Sequence, residues 1–113
     1  MNAKEKLADL QRQFGLYAQA NPEVMNGFGA TATAAMEHSG SLDAKTMELL
    51  IVTVAVARKC EPCIYAHVMN YIQAGGTKED LAAGLNAAVL ICGGPGMAYG
   101  ALALDIFDQY TAE

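Results

Sequence analysis

Two cysteines three residues apart are the side chains with the clearest chemical meaning in this chain. Cys60 and Cys63 stand in the segment CEPC, directly before a helix-like run. At a helix N-terminus the unpaired backbone N–H groups and the helix dipole favour a thiolate over a thiol. Such a pair can close a disulfide, so the spacing predicts redox chemistry. Metal or iron–sulfur binding and a pair of inert thiols are the alternatives.

A histidine follows this pair at helical spacing. His67 is four residues beyond Cys63, so on a helix its imidazole lies one turn further along the same face and can accept the thiol proton. Cys63 is then the thiol with a base, whereas Cys60 lies nearer the open end of the helix. Which sulfur attacks first therefore stays open at this point.

A lone carboxylate completes the candidate set. Glu48 is the only charged residue between Lys45 and Arg58, in a segment that is otherwise strongly apolar. Because an isolated carboxylate in apolar surroundings is costly, we expect it to pair, to take up a proton or to face a polar pocket, and a nearby His67 would suit each case. A carboxylate behind an imidazole behind a thiol is the arrangement of an activated nucleophile.

The remaining candidates have simpler interpretations. Cys92 is predicted to be a small buried hydrophobic residue, but it is the natural third ligand if Cys60, Cys63 and Cys92 hold a metal. Three thiolates fall short of the four that a cluster usually takes, so a cluster would need His67 or a neighbouring subunit. His38 is predicted to lie at the surface. The segment GGPGMAYG lacks the lysine and preceding strand of a phosphate loop, and is predicted to be a tight turn between helices.

The sequence predicts that every element positioning these residues is a helix. Breakers recur every 15 to 20 residues or so, and apolar residues follow helical spacing. We expect six helices: Ala3 to Ala20, Pro22 to Glu37, one from Asp43, one from the CEPC segment to Gly75-Gly76, one from Thr77 to Cys92, and one from Pro95 or Met97 to about Tyr110. The third is apolar all round and is predicted to be buried. The small residues of the second would allow close packing.

Composition and charge restrict the class of protein. The chain has 113 residues, of which 53% are hydrophobic and 17% charged, with a net charge of −5. A short domain buries only part of its surface, so this apolar excess predicts a homo-oligomer. The acidic balance argues against nucleic-acid binding. The first residues lack a signal-peptide core, and glycines and a proline interrupt the longest uncharged stretch, so we expect a cytoplasmic protein that does not span a membrane.

The order of these motifs resembles a known family. The pattern Glu48, eleven residues, Cys60-x-x-Cys63, three residues and His67, followed by AGGTKEDLAAGLNAAVLICGGPGMAYG, is similar to the carboxymuconolactone decarboxylase family, in its alkylhydroperoxidase D-like branch. The resemblance covers roughly residues 42–107. It implies an all-α fold in a single domain over residues 1–113, with its core at about 42–107, assembled as a trimer or hexamer.

The resemblance also implies a function. Glu48 and His67 would form a proton relay, and Cys60 and Cys63 would reduce a peroxide or a partner's disulfide, a peroxidase-type antioxidant activity. No bound cofactor is implied. An external dithiol such as dihydrolipoamide would reset the disulfide, and a peroxiredoxin is the implied partner class.

One departure from the family pattern bears on this activity. Characterised alkylhydroperoxidase D proteins carry a second histidine between the two cysteines, where this chain has Pro62. The change removes one candidate proton donor and favours disulfide reduction over alkylhydroperoxidase activity. The lactone decarboxylases of the family do not depend on a CxxC pair, so that activity is the more distant alternative.

Overall fold

The computed structural model describes residues 1–112 and contains six α-helices and no strand within that range. The helices are α1 (Ala3–Ala20), α2 (Pro22–Glu37), α3 (Ala44–Ala57), α4 (Glu61–Gln73), α5 (Lys78–Cys92) and α6 (Gly94–Thr111). The expected all-α architecture of six helices is thus confirmed. No helix in this part of the chain is long and apolar enough to cross a membrane.

Local sequence signals account for the helix starts. Asn2 and Glu5 form a reciprocal capping box at α1, and Pro22 occupies the first turn of α2. The carboxylate of Asp43 accepts a hydrogen bond from the backbone N–H of Thr46 at 2.7 Å, which begins α3 and lowers the pKa of Asp43. Side chains of this kind satisfy N–H groups that have no partner within the helix.

The predicted turn before α6 is shorter than expected. Only Gly93 lies outside the helices, in a left-handed conformation with φ 67°, and α6 begins at Gly94 rather than at Pro95 or Met97. Pro95 fits the first turn because its missing N–H would have no helical partner there. At Gly96 a Cβ atom would stand 2.5 Å from the carbonyl oxygen of Ala88 on α5. The glycine therefore allows the two helices to approach closely just after the turn.

The core lies among α3, α4, α5 and α6, and α1 packs across α4 and α6. The backbone N–H of Ala3 donates to the side chain of Gln109 at 2.6 Å, which attaches the start of α1 to α6. The largest side chains that are fully buried are Tyr71, Ile64, Leu81, Ile106, Val52, Val56 and Val68.

Two tyrosines hold α4, the helix that carries the cysteines. The hydroxyl of Tyr71 donates to the carbonyl of Thr77 at 2.7 Å, beyond the end of α4. The hydroxyl of Tyr110 on α6 donates to the carbonyl of Tyr65 at 2.9 Å, and burial raises the pKa of Tyr110 to about 12. Both phenols stay neutral at physiological pH and anchor α4 at two points along its length.

Two packing expectations are wrong. The third helix is not buried all round, because Leu50 and Val54 on α3 are 47% and 61% exposed. The small residues of α2 do not produce close packing in the core, since α2 has no buried residue and packs mainly against α1. Within one chain, the other helices cover only one side of α3 and little of α2.

The close approach at Gly96 leads to a stability prediction. Gly96→Ala should lower the free energy of unfolding by about 1–3 kcal/mol, because the new methyl group must displace backbone of α5. Gly94→Ala is the matched control, since a Cβ there meets nothing within 4 Å. Urea denaturation of both variants tests this, and equal stabilities would contradict it.

Candidate redox site

The turn between α3 and α4 fixes the position of the first cysteine. Arg58 ends α3, and the next two residues close the helix with backbone hydrogen bonds. The N–H of Lys59 donates to the carbonyl of Val56 at 3.1 Å, and that of Cys60 donates to the carbonyl of Ala55 at 3.0 Å. These two bonds define a Schellman motif. Lys59 occupies its left-handed position, with φ 56°, where glycine is usual.

The two cysteines lie at the start of α4. Cys60 is the N-cap residue, and Cys63 lies in the first turn with its Cα 5.3 Å from that of Cys60. The structure joins them in a disulfide. Pro62 between them lacks an N–H, which costs nothing in the first turn of a helix. The structure thus brings the predicted pair together. Both cysteines are half-buried, so this helix end remains accessible to solvent.

Glu48 and His67 meet across the α3–α4 hairpin. Oε2 of Glu48 lies 2.8 Å from Nδ1 of His67, although the residues are 19 positions apart. The carboxylate of Glu48 is 8% exposed and the imidazole of His67 33% exposed. With Glu48 ionised, its carboxylate only accepts, so this contact assigns the proton to Nδ1 of His67 as the donor. In that tautomer Nε2 is the ring nitrogen that can accept a proton.

The disulfide and the imidazole share one side of α4. Cys63 and His67 are separated by one helical turn, a spacing that places their Cβ atoms about 5–6 Å apart. Glu48 approaches this pair from α3, from the buried side. Nearby, burial together with the negative charges of Glu61 and Asp105 raises the pKa of Tyr65, so this phenol stays protonated. The arrangement can orient a base beside a thiol at a helix N-terminus.

An apolar groove adjoins the disulfide. It has a volume of about 530 Å³, within the usual range of ligand pockets, and Pro62 of the CEPC segment forms part of its wall. Its other lining residues come from α1 and α2: Leu10, Gln13, Phe14, Tyr17, Val24, Met25 and Phe28. Sequence reasoning missed this groove. Leu10, Phe14 and Tyr17 share one face of α1 at helical spacing, but spacing alone does not show whether such a face is covered or open.

The third cysteine lies apart from the first two. Cys92 ends α5 as a free, partly exposed thiol, so the prediction of a buried residue is wrong. Within residues 1–112, no group of three or more histidine, cysteine or acidic side chains could hold a metal ion. The alternative ligand set of Cys60, Cys63 and Cys92 is therefore not assembled in one chain. His38 is exposed, as expected.

Comparisons with known proteins assign the fold to a family. The model of the carboxymuconolactone decarboxylase family matches residues 22–105. An uncharacterized protein from Cupriavidus necator is 37% identical over 109 residues, 96% of each chain. Another, from Haemophilus influenzae, is 39% identical over 64 residues, which cover 57% of this chain and 56% of that protein.

A solved structure agrees with this assignment. The crystal structure of the apo form of a carboxymuconolactone decarboxylase family protein from Legionella pneumophila superposes with a TM-score of 0.90. The two sequences are 34% identical, and the match covers 97% of each chain. The chain therefore belongs to the carboxymuconolactone decarboxylase family.

The left-handed lysine before the disulfide leads to a second stability prediction. Lys59→Gly should raise the free energy of unfolding by about 1 kcal/mol, because a side chain is strained at positive φ and glycine is not. Arg58→Gly is the matched control. Arg58 is also exposed but has φ −86° and ψ −3°, in the right-handed region that side chains tolerate, so glycine should destabilise there. Thermal unfolding of the two variants measures the difference, and a loss of stability in both would contradict the strain argument.

Proposed function

We propose that the protein is a thiol–disulfide oxidoreductase that reduces disulfides or peroxides through Cys60 and Cys63. The observation that carries the proposal is the disulfide at the start of α4 beside the hydrogen-bonded pair of Glu48 and His67. A helix N-terminus stabilises a thiolate, and His67 offers a free nitrogen to the thiol one turn away. Together these features supply a nucleophile, a base and a group that orients the base.

The cycle begins with both thiols reduced. Nε2 of His67 takes the thiol proton, and the thiolate attacks one sulfur of a substrate disulfide, releasing the other as a thiol. The second cysteine of the pair then attacks the mixed disulfide, releases the second substrate thiol and closes the Cys60–Cys63 bond. With a peroxide, the first attack releases an alcohol and leaves a sulfenic acid. The second thiol then displaces water from it to form the same disulfide.

An external dithiol completes the cycle. Dihydrolipoamide is the proposed class of reductant, and it supplies the two electrons and two protons that restore both thiols. No resident cofactor is required in this scheme. Disulfide reduction is favoured over alkylhydroperoxidase activity because Pro62 stands where a second proton donor would be needed. Lactone decarboxylation, the activity in the family's name, would leave the cysteine pair without a role.

The exposed apolar surface supports an assembly. Large apolar side chains that are at least 42% exposed occur on five of the six helices or beside them, and they include Val24, Phe28, Leu42, Leu50, Val54, Leu90, Ile91 and Met97. So many large apolar side chains left exposed on a chain this short favour a surface that a partner subunit covers. We propose a homo-oligomer, a trimer or hexamer, that acts in the cytoplasm, with a peroxiredoxin or a small disulfide or peroxide as its reaction partner.

Removal of either sulfur or of the base should stop the cycle. Cys60→Ser, Cys63→Ser and His67→Ala should each abolish dithiol-dependent reduction of a disulfide, whereas Cys92→Ser, the matched control, should keep it. Peptide mapping after substrate addition then shows which single-cysteine variant traps the mixed disulfide, and so identifies the attacking sulfur. Full turnover in Cys63→Ser would refute the proposal.

Glu48 is proposed to act through His67, as a positioning residue. Glu48→Gln keeps the size and an acceptor oxygen but removes the charge, so turnover should fall by about 10²-fold, a typical general-base contribution. The pH profile of turnover should change with it, which a loss of packing alone would not produce. Glu79→Gln, which removes an exposed carboxylate in the first turn of α5, beyond the end of α4 that is opposite the disulfide, is the control. Unchanged turnover in Glu48→Gln would make Glu48 purely structural.

A further inference from the structure

Two cations stand beside the disulfide on an acidic chain. The sequence has 7 basic and 12 acidic residues, and Arg58 and Lys59 directly precede Cys60. Both are exposed, and neither forms a salt bridge with any residue in the range 1–112. Their charges are therefore available to a molecule that approaches the sulfur atoms from solvent.

The backbone holds one of these cations in an unfavourable conformation. Lys59 has φ 56°, and no other non-glycine residue in the described part of the chain has a positive φ. Glycine or asparagine would fit this position with less strain, yet the chain has lysine. A strained residue at a functional site can mark a contribution to function. Here the Schellman motif keeps Lys59 next to the N-cap cysteine, although a side chain at positive φ is strained.

We propose that Arg58 and Lys59 form a cationic rim that makes the site select disulfides and thiols bearing carboxylates. This inference rests on the proposed thiol–disulfide function and names the substrate class for it. The apolar groove on the side of Pro62 has only Gln13 and the Tyr17 hydroxyl as polar groups in its wall. The groove has no charged group that could attract an anion. The rim would therefore be the feature next to the sulfurs that distinguishes anionic from cationic substrates.

Nearby carboxylates weaken the attraction between the cationic rim and an anionic substrate. Glu61 follows Cys60, and burial together with the negative charges of Glu61 and of Asp105 on α6 raises the pKa of Tyr65. Within residues 58–61 the two cations outnumber the single carboxylate, so the charge directly beside the N-cap cysteine is positive, whereas Asp105 acts from a different helix. At about 0.1 M salt the Debye length is about 10 Å. The rim acts on a substrate within that distance, and exposed charges further than a Debye length from the sulfurs are largely screened.

The test uses two unactivated aliphatic disulfides of opposite charge. Glutathione disulfide is dianionic and cystamine dicationic near neutral pH, and each oxidises the reduced protein by releasing two thiols. Each rate is divided by the rate of the same reagent with dithiothreitol, whose only charge is that of the attacking thiolate. At about 0.1 M salt the wild-type protein should prefer glutathione disulfide by about threefold to tenfold, at or below the lower limit of strong electrostatic steering because only two exposed cations act. The preference should shrink at about 1 M salt, where the Debye length is about 3 Å.

Variants separate recognition from a general change in thiol reactivity. Lys59→Asn keeps a residue that tolerates the left-handed conformation, and it should lower the preference. Its combination with Arg58→Gln should abolish the preference. Lys78→Gln is the matched control, because it removes one exposed positive charge just beyond the end of α4, a helix of about 20 Å that begins at the disulfide. The control should keep the wild-type preference.

Each other outcome has a definite meaning. An unchanged preference in the double variant would overturn the inference, as would a wild-type preference for cystamine. Equal slowing with both reagents would also overturn it, since it would show that the cations act on the thiolate and not on the substrate. If the wild-type protein reacts with neither reagent, the proposed function itself fails.

Discussion

The backbone turn between α3 and α4 is the constraint on which the rest of the site depends. Cys60 is at once the residue that closes α3, through its N–H bond to Ala55, and the N-cap of α4. One residue therefore fixes where the second helix begins relative to the end of the first. The two helices run back along each other from this point, and this geometry brings Glu48 opposite His67. The disulfide, the base and the carboxylate are thus set by a single connection.

The Glu48–His67 pair shows how polar chemistry fits inside an apolar hairpin. Glu48 is buried, on a helix whose neighbouring turn contributes Val52 to the core. A carboxylate in such a place is tolerated when a hydrogen-bonding partner compensates for the lost water. His67 provides this compensation while its ring remains one-third exposed. One hydrogen bond joins the buried carboxylate of Glu48 to the partly exposed imidazole of His67. A group in the interior can therefore orient an imidazole that is open to solvent.

The outer helices form an incomplete layer around this centre. α2 has no buried residue, and with α1 it leaves an apolar groove that reaches Pro62 between the two cysteines. The site therefore has two unlike neighbours. On the side of Pro62 lies an uncharged apolar wall, and on the side of Lys59 lies exposed positive charge on an otherwise acidic protein. Under the proposed function, a substrate that reaches the sulfurs would meet both surfaces, and these surfaces would select substrates independently of the reactivity of the thiols.

The sequence by itself determined the six helices, the family pattern and the identity of the candidate site residues. Local signals suffice for these features: caps such as Asp43, breakers such as Gly75-Gly76, and helical spacing that relates Cys63 to His67. Only the tertiary structure decided that Glu48 reaches His67 across 19 residues, that Cys92 stands apart, and that Phe14 and Tyr17 line a groove. It also revealed the left-handed conformation of Lys59, which the sequence does not indicate because lysine, unlike glycine, is not typical of that conformation. The physical reason is that spacing specifies which residues share a helix face, whereas packing between helices specifies which faces meet and which stay open.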